Sequence, residues 1–155
     1  SVKHDFSNAW HRFLNPEKNK AEHELVFNIS ENLFPPNATN YQIQSVFLKV
    51  DFEPEQLAPS VGLKLTIVPG KAKNIDLEFN TSDISEEKGI TNGSALGEWV
   101  VKVARKDGIP VELQRKKGGI AEFETVGPDK CYFLDPEKVR NIGLIVIFTC
   151  NLEWN

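Results

Sequence analysis

"GEWVVKVA", residues 97–104, alternates large apolar side chains with polar or smaller ones. Trp99, Val101 and Val103 fall on one face of an extended chain, and Glu98 and Lys102 fall on the other. Because successive side chains of a β-strand point to opposite faces, this two-residue period predicts a half-buried strand. Trp99 is therefore predicted to lie in the core rather than on a ligand-binding surface.

The same period recurs on both sides of this stretch. Four further apolar faces are formed by Leu25, Phe27 and Ile29, by Val46, Leu48 and Val50, by Leu63, Leu65 and Ile67, and by Ile75, Leu77 and Phe79. Pro69-Gly70, Asp107-Gly108 and Gly118-Gly119 supply turn signals between such runs. Short strands separated by turns predict an all-β chain, namely an antiparallel β-sandwich with one or two short helical turns.

The last apolar segment, "GLIVIFTCNLEW" (residues 143–154), differs from the others because its first half is apolar on both faces. That pattern is typical of a central strand that is covered on both sides. We therefore expect this segment to lie inside a sheet with both of its faces buried.

Helix signals occur at two short places. "SENLFPP" (residues 30–36) begins with Ser30, a capping residue, and is stopped by Pro35-Pro36. "LDPEKVRNIG" (residues 134–143) has Asp135 as a candidate N-cap, Pro136 at the first position and Gly143 beyond its end. Each pattern predicts a single short helical stretch.

The chain opens with a dense group of aromatic and cationic side chains in "DFSNAWHRFLNPE", residues 5–17. Phe6, Trp10 and Phe13 precede the first strand, with His11 and Arg12 between them. We expect residues 1–20 to form an extended N-terminal segment whose aromatic side chains clamp it across the sandwich. Without a linker or a shift in composition, residues 1–155 are predicted to form a single domain.

Composition narrows the class of protein. A chain of 155 residues with 40% hydrophobic and 26% charged residues suits one soluble domain with one core. Its net charge of −4 gives no electrostatic reason to expect nucleic acid. No apolar run reaches the length of a membrane span and no signal-peptide pattern is visible, so we expect no membrane insertion by this domain alone. Cys131 and Cys150, in apolar surroundings, favour two buried free thiols over a disulfide.

The sequence contains none of the common catalytic motifs. Neither G-x-S-x-G nor H-E-x-x-H occurs, and Gly70-Lys71 lacks both the following Ser or Thr and the upstream glycine of a phosphate loop. The histidines and cysteines show no zinc spacing. We therefore expect a chain that is not an enzyme, with no catalytic, metal or cofactor-binding residues. A carboxylate pair for sugar hydrolysis stays open, since Asp and Glu are plentiful.

Two features are candidates for partner contact. "QRKK" (residues 114–117) is a compact basic cluster, so Arg115, Lys116 and Lys117 form either a solvated hairpin tip or a contact for an acidic partner. Trp154 continues the alternation of the last segment and could instead stack on a sugar. A carbohydrate-binding β-sandwich is therefore the alternative function.

Four segments in the order "DFSNAWHRFLNP", "FNISENLFPP", "LGEWVVKV" and "LDPEKVRNIGLIVIFTC" resemble the C-terminal end of the A subunit of bacterial insecticidal toxin complexes. The features of the family's opening segment fall here on Asp5, Phe6, Trp10, Phe13, Asn15 and Pro16. Its closing segment, Leu-Asp-Pro followed by a short helical turn and an apolar strand, matches residues 134–149. The resemblance spans nearly the whole chain.

The resemblance implies a β-rich, non-enzymatic domain that docks the A-subunit pentamer onto the β-propeller of a B-type subunit. The toxic enzyme of such complexes lies in the C component. It also implies self-association within a larger assembly, and a location outside the bacterium or on its surface as part of a toxin complex. This chain lacks the helical channel and receptor-binding regions of a full A subunit, and the family's motifs carry no catalytic residue onto it.

Overall fold

The structure, a computed structural model, describes residues 5–53, 62–70, 76–81 and 87–153, without the side chains of residues 87–92. Within these residues the chain forms a helix, α1 (Ser7–Leu14), and the 3-10 turns Glu31–Leu33 and Val111–Leu113. The strands are β1 (Glu22–Ile29), β2 (Ala38–Phe52), β3 (Lys64–Val68), β4 (Leu77–Asn80), β5 (Glu87–Ser94), β6 (Gly97–Ala104), β7 (Lys116–Lys117), β8 (Ile120–Ala121), β9 (Phe123–Val126), β10 (Asp129–Tyr132) and β11 (Val139–Leu152).

The strands form two main antiparallel sheets. One has the order β1-β6-β3-β4 and the other the order β11-β2-β5, while β9 with β10 and β7 with β8 form two small hairpins. Buried apolar side chains from both main sheets belong to one cluster. The predicted all-β fold with antiparallel sheets and few helical turns is therefore confirmed.

The alternating strand that contains Trp99 is β6, and it lies between β1 and β3. Trp99, Val101 and Val103 have no exposed surface. Trp99 pairs directly with Phe27 of β1, and their rings stack with centroids 6.3 Å apart. The indole N–H donates a 3.0 Å hydrogen bond to the carbonyl oxygen of Ala95, so the one polar atom of the buried ring is satisfied. The prediction of a core tryptophan is confirmed.

The other apolar faces behave similarly. The buried residues among those predicted are Leu25, Phe27, Val46, Val50, Leu63, Leu65, Ile67, Leu77 and Phe79. Ile29 and Leu48 are only half-buried, and Ile75 lies outside the described residues. Gly118 and Gly119 connect β7 to β8 with φ angles of +60° and +79°. Positive φ at both central positions is what a tight hairpin turn requires, so the predicted turn is also confirmed.

The expectation of an extended N-terminal segment is wrong. Residues 7–14 form α1, on which Phe6, Trp10 and Phe13 are spaced i, i+4 and i+7 and so share one face. Trp10 and Phe13 are buried, and the Phe6 ring lies 5.0 Å from that of Phe27. The aromatic side chains do pack against the core, but a helix presents them.

The prediction of a helix after Asp135 is also wrong. The Asp135 carboxylate accepts a 2.9 Å hydrogen bond from the backbone N–H of Glu137, and the Asp135 carbonyl accepts from the N–H groups of Lys138 and Val139. These bonds close a single turn, because Val139 already pairs with Phe52 of β2. The other predicted helical stretch, after Ser30, is the 3-10 turn Glu31–Leu33.

The position predicted for the last strand is wrong as well. β11 lies at an edge of the three-stranded sheet and not in its centre. Its outward side chains Ile145 and Ile147 are 59% and 40% exposed. Within the described part of the chain, therefore, the most apolar strand is covered on one face only.

The state of the cysteines agrees with the sequence analysis, and the described helices are short. Cys131 and Cys150 are both free thiols, as predicted, although Cys150 is only half-buried. Among the residues that the structure covers, no helix has the length and apolar character needed to span a membrane.

Candidate functional site

The free side of β11 is the first unusual feature of the surface. Among the described residues, β11 pairs with β2 alone. The pairing runs without interruption from Asn141 opposite Asp51 to Ile147 opposite Ser45, and the register shifts occur only before and after this range. We call residues 142–147 the open edge.

Natural edge strands are usually protected from pairing by charges, prolines or β-bulges. The open edge contains none of these, and no charged residue or proline occurs anywhere in residues 141–152. The preceding residue, Arg140, is charged, but it forms a 2.7 Å ion pair with Glu53 of the neighbouring chain segment. Among the described residues, no other strand pairs with the outward backbone N–H and C=O groups of the open edge, so these groups can pair with a strand of another chain.

The outer face beside the open edge is apolar. Ile145 and Ile147 project from it, and half-buried Phe47 of β2 lies directly opposite Ile145 in the pairing. Single exposed apolar side chains are normal on a protein surface, whereas adjacent ones form a patch that marks an interaction site. The patch is contiguous with the unpaired backbone.

The inner face of β11 borders a groove of about 210 Å³. Leu144, Val146 and Phe148 form its β11 side, and Phe6 and Ile29 line the opposite side. Apart from Asp5, the residues that line the groove are apolar. A strand that paired with the open edge would place alternate side chains toward this groove and toward the outer patch.

The basic cluster lies at the β7–β8 hairpin, as predicted, but only two of its three side chains are exposed. Lys116 and Lys117 are exposed and form β7 beside the turn, but Arg115 is half-buried. The Arg115 guanidinium forms a 2.7 Å ion pair with Glu122 and lies 4.3 Å from the ring centre of Phe133. Arg115 therefore holds the base of the hairpin, and the two lysines stay free to meet solvent or a partner.

The tryptophans bear on the carbohydrate-binding alternative. Trp10 and Trp99 are buried and cannot stack on a sugar, and Trp154 lies outside the described residues.

Arg105 is a buried cation that the sequence patterns did not single out. It has no exposed surface, and its Nη1 donates to the Glu124 carboxylate at 2.6 Å and to the Lys20 carbonyl at 2.5 Å. Its Nε and Nη2 donate to the carbonyls of Tyr132 and Cys131. Because each of these bonds goes to the protein itself, we interpret Arg105 as a structural clamp between β6 and the β9–β10 hairpin.

His23 is a buried titratable group whose pKa lies well below its usual value. Leu134 donates its backbone N–H to Nε2 at 3.1 Å, so Nδ1 carries the proton and donates to the Phe13 carbonyl at 2.7 Å. Burial lowers the pKa of His23 to about 4, and the nearby positive charges of Arg105 and Arg115 act in the same direction. A neutral imidazole with both nitrogens bonded is a structural pin rather than a catalytic base.

The other histidines and the remaining metal-binding residue types form no metal site among the described residues. His11 is exposed on α1, and His4 lies outside the described residues. In the ranges that the structure covers, no group of three or more His, Cys, Asp or Glu side chains converges in a way that could hold a metal ion.

No protein-family model, curated protein or solved structure matches the chain. The resemblance to toxin-complex A subunits therefore stays a prediction from sequence. Of the features above, the open edge with its two apolar flanks has the chemistry of an interaction site.

Proposed function

We propose that this chain is a non-enzymatic docking domain that binds an extended segment of a partner protein along the open edge. One observation carries the proposal. Residues 143–148 are apolar on both faces, as in strands that are covered on both sides, yet β11 lies at an edge with its outer face uncovered. A partner that adds a strand to this edge and packs its own apolar side chains over Ile145 and Ile147 would supply the missing cover.

The chemistry of the open edge favours a polypeptide as the partner. Unpaired backbone N–H and C=O groups at a sheet edge are matched by the backbone of another strand. In this mode of recognition the main-chain hydrogen bonds provide affinity, and pockets for alternate side chains provide specificity. The apolar groove beside Leu144 and Val146 would supply such a pocket. The lack of charge along residues 141–152 gives a nucleic acid nothing to bind.

The sequence resemblance to toxin-complex A subunits suggests the class of partner protein. We propose that the chain belongs to an A-type subunit of an insecticidal toxin complex and docks onto the β-propeller of a B-type subunit, outside the bacterium or on its surface. Self-association of several A-type copies would present several edges at once. Avidity would then make the assembled complex bind more tightly than one isolated domain.

Calorimetric titration of the chain with the B-type propeller of the same organism tests this proposal. Ile145→Lys places a charge on the outer face of the open edge, as natural edge strands do to prevent pairing. We expect it to weaken binding by at least about tenfold, which corresponds to about 1.4 kcal/mol. Because Ile145 is 59% exposed, the fold should be unaffected, and circular dichroism checks this.

Val111→Lys is the matched control, since Val111 is 64% exposed and lies in the 3-10 turn Val111–Leu113 rather than on β11. It should bind like the parent chain. Equal affinity of Ile145→Lys and the parent would rule out the open edge as the contact. Absence of binding by the parent at tens of micromolar would count against the toxin-subunit partner.

A further inference from the structure

A second concave surface lies near the start of β2, and its chemistry differs from that of the open edge. It is a groove of about 590 Å³ between the 3-10 turn Glu31–Leu33, residues 39–42 of β2, and Ser94 with Leu96. Its volume is within the range of about 300–1,000 Å³ that small-molecule sites occupy. We call it the Asn40 groove.

Polar but uncharged side chains dominate the lining. Asn32, Asn40 and Gln42 supply amides, and Thr39 and Ser94 supply hydroxyls. Each of these groups can both donate and accept hydrogen bonds. A ligand rich in hydroxyl groups, which also donate and accept, is the natural complement of such a surface.

An aromatic surface accompanies these polar groups. The Phe34 ring lines the groove and stacks on Tyr41 with centroids 4.2 Å apart, so its orientation is fixed. Phe34 also meets Phe148 of β11 edge-on at 4.6 Å. The exposed part of half-buried Phe34 thus adds a fixed apolar contact for the C–H groups of a sugar ring.

The backbone at Asn40 is unusual. Asn40 has a φ of +52°, a left-handed backbone conformation that few residues other than glycine and asparagine adopt. Its carboxamide oxygen accepts a 3.1 Å hydrogen bond from the side-chain amide of Gln42. Asn40 and Tyr41 together lie opposite the single residue Cys150 of β11, so the positive φ belongs to a β-bulge, a feature that re-aims side chains beside binding sites.

The charge of the lining residues indicates which charge a ligand of the groove can carry. The single charged residue among the lining residues that the structure describes is Glu31, and it is negative. An anionic ligand such as a phosphate, a sulfated sugar or a sialylated sugar would be repelled and would find no cationic partner. Hydrolysis of a glycosidic bond would need two carboxyl groups flanking the bond, so this lining suits binding rather than cleavage.

We infer that the Asn40 groove binds a neutral saccharide. The inference is separable from the proposed docking function, because no residue of the open edge lines the groove, although Phe34 lines both this groove and the groove beside β11. The chain would then carry two recognition surfaces, one for a polypeptide strand and one for a glycan.

A glycan array with neutral, sulfated and sialylated members, followed by calorimetry on the neutral sugar that gives the strongest signal, tests the inference. Asn40→Gly removes the amide while keeping a residue that adopts positive φ readily. Asn19→Gly is the matched control, since Asn19 also has a positive φ, of 69°, and lies in the turn before β1. We expect Asn40→Gly to lower the affinity at least about fivefold, roughly one lost hydrogen bond, and Asn19→Gly to leave it unchanged.

Asn32→Ala, on the opposite wall of the groove, provides a second variant should Asn40→Gly fail to fold, and it should also weaken binding. The inference is overturned if the parent binds no neutral glycan, if it prefers sulfated or sialylated members, or if both variants bind like the parent. Ile145→Lys should still bind the glycan, and Asn40→Gly should still bind the propeller. This cross-comparison separates failure of the glycan site from failure of the docking edge.

Discussion

At the scale of single residues, His23 links three parts of the chain through its two ring nitrogens. It lies in β1 and connects the end of α1 to the segment before β11. The bonds require a neutral ring, and burial lowers the pKa of His23 to about 4, against about 6.5 in an unfolded chain. Between these pH values the unfolded chain binds a proton that the folded chain does not.

Folding stability should therefore depend on pH through His23. Its contribution is complete above pH 6.5 and is lost progressively as the pH falls toward 4. We expect the free energy of unfolding to be lower at pH 4.5 than at pH 7 by about 2–3 kcal/mol from this residue. Urea melts at the two pH values measure the difference.

His23→Gln supplies the comparison for this prediction, because other titrating groups contribute equally to both proteins. The variant should be less stable at pH 7 and should lack the part of the pH dependence that comes from the imidazole. His11→Gln, the same substitution at an exposed position on α1, is the matched control. Identical pH dependence of the parent and His23→Gln would show that the buried imidazole is not the titrating group.

Trp99 carries a second prediction at this scale. Trp99→Ala deletes a fully buried ring that stacks on Phe27 and bonds to the Ala95 carbonyl. We expect a loss of about 3–5 kcal/mol in the free energy of unfolding, since a large cavity replaces the ring. Lys117→Ala at the exposed hairpin should change stability by no more than about 0.5 kcal/mol. Urea melts that coincide for Trp99→Ala and the parent would refute the core assignment.

At the scale of elements, the alternating strands could be predicted from sequence, because one face of each is buried against the other sheet. β6 shows this most clearly, with Trp99, Val101 and Val103 all inside. The helix α1 was missed although Phe6, Trp10 and Phe13 have helical spacing. The spacing is present in the sequence, but a single short segment carries it and Phe6, at its N-cap, is not a capping residue, so the helical signal is weak.

The opposite error occurred at Asp135, where capping residues favour a helix. Local preference there yields to the sheet, because β11 starts to pair with β2 at Val139. The edge position of β11 could not be predicted for a different reason. Hydrophobic pattern shows which faces avoid water, but it does not show whether the same chain or a partner covers them. The mismatch between pattern and position is what identifies the open edge.

At the scale of the whole molecule, the contacts that join distant segments could not be predicted from sequence. His23 bonds to a residue 111 positions away, and Arg105 bonds to one 85 positions away. Neither pairing leaves a periodic trace, since each depends on how the two sheets and the hairpins come together. The Asn40 groove is similar, because its lining residues come from the segment around the 3-10 turn, the start of β2 and the end of β5.

The central prediction for the whole molecule is that a partner strand completes the sheet along the open edge. In an edge strand, alternate backbone N–H groups point toward the neighbouring strand and the others point outward. The outward amides of the open edge should therefore exchange rapidly in the free chain. Amide hydrogen exchange, followed residue by residue by NMR with and without the B-type propeller, measures them directly.

We predict that the outward amides within residues 142–147 exchange at least about tenfold more slowly in the complex. The amides already bonded to β2 should change far less, so the protection should alternate along the strand. Binding that leaves residues 142–147 unprotected while slowing exchange elsewhere, for example at Lys116 and Lys117, would contradict this prediction.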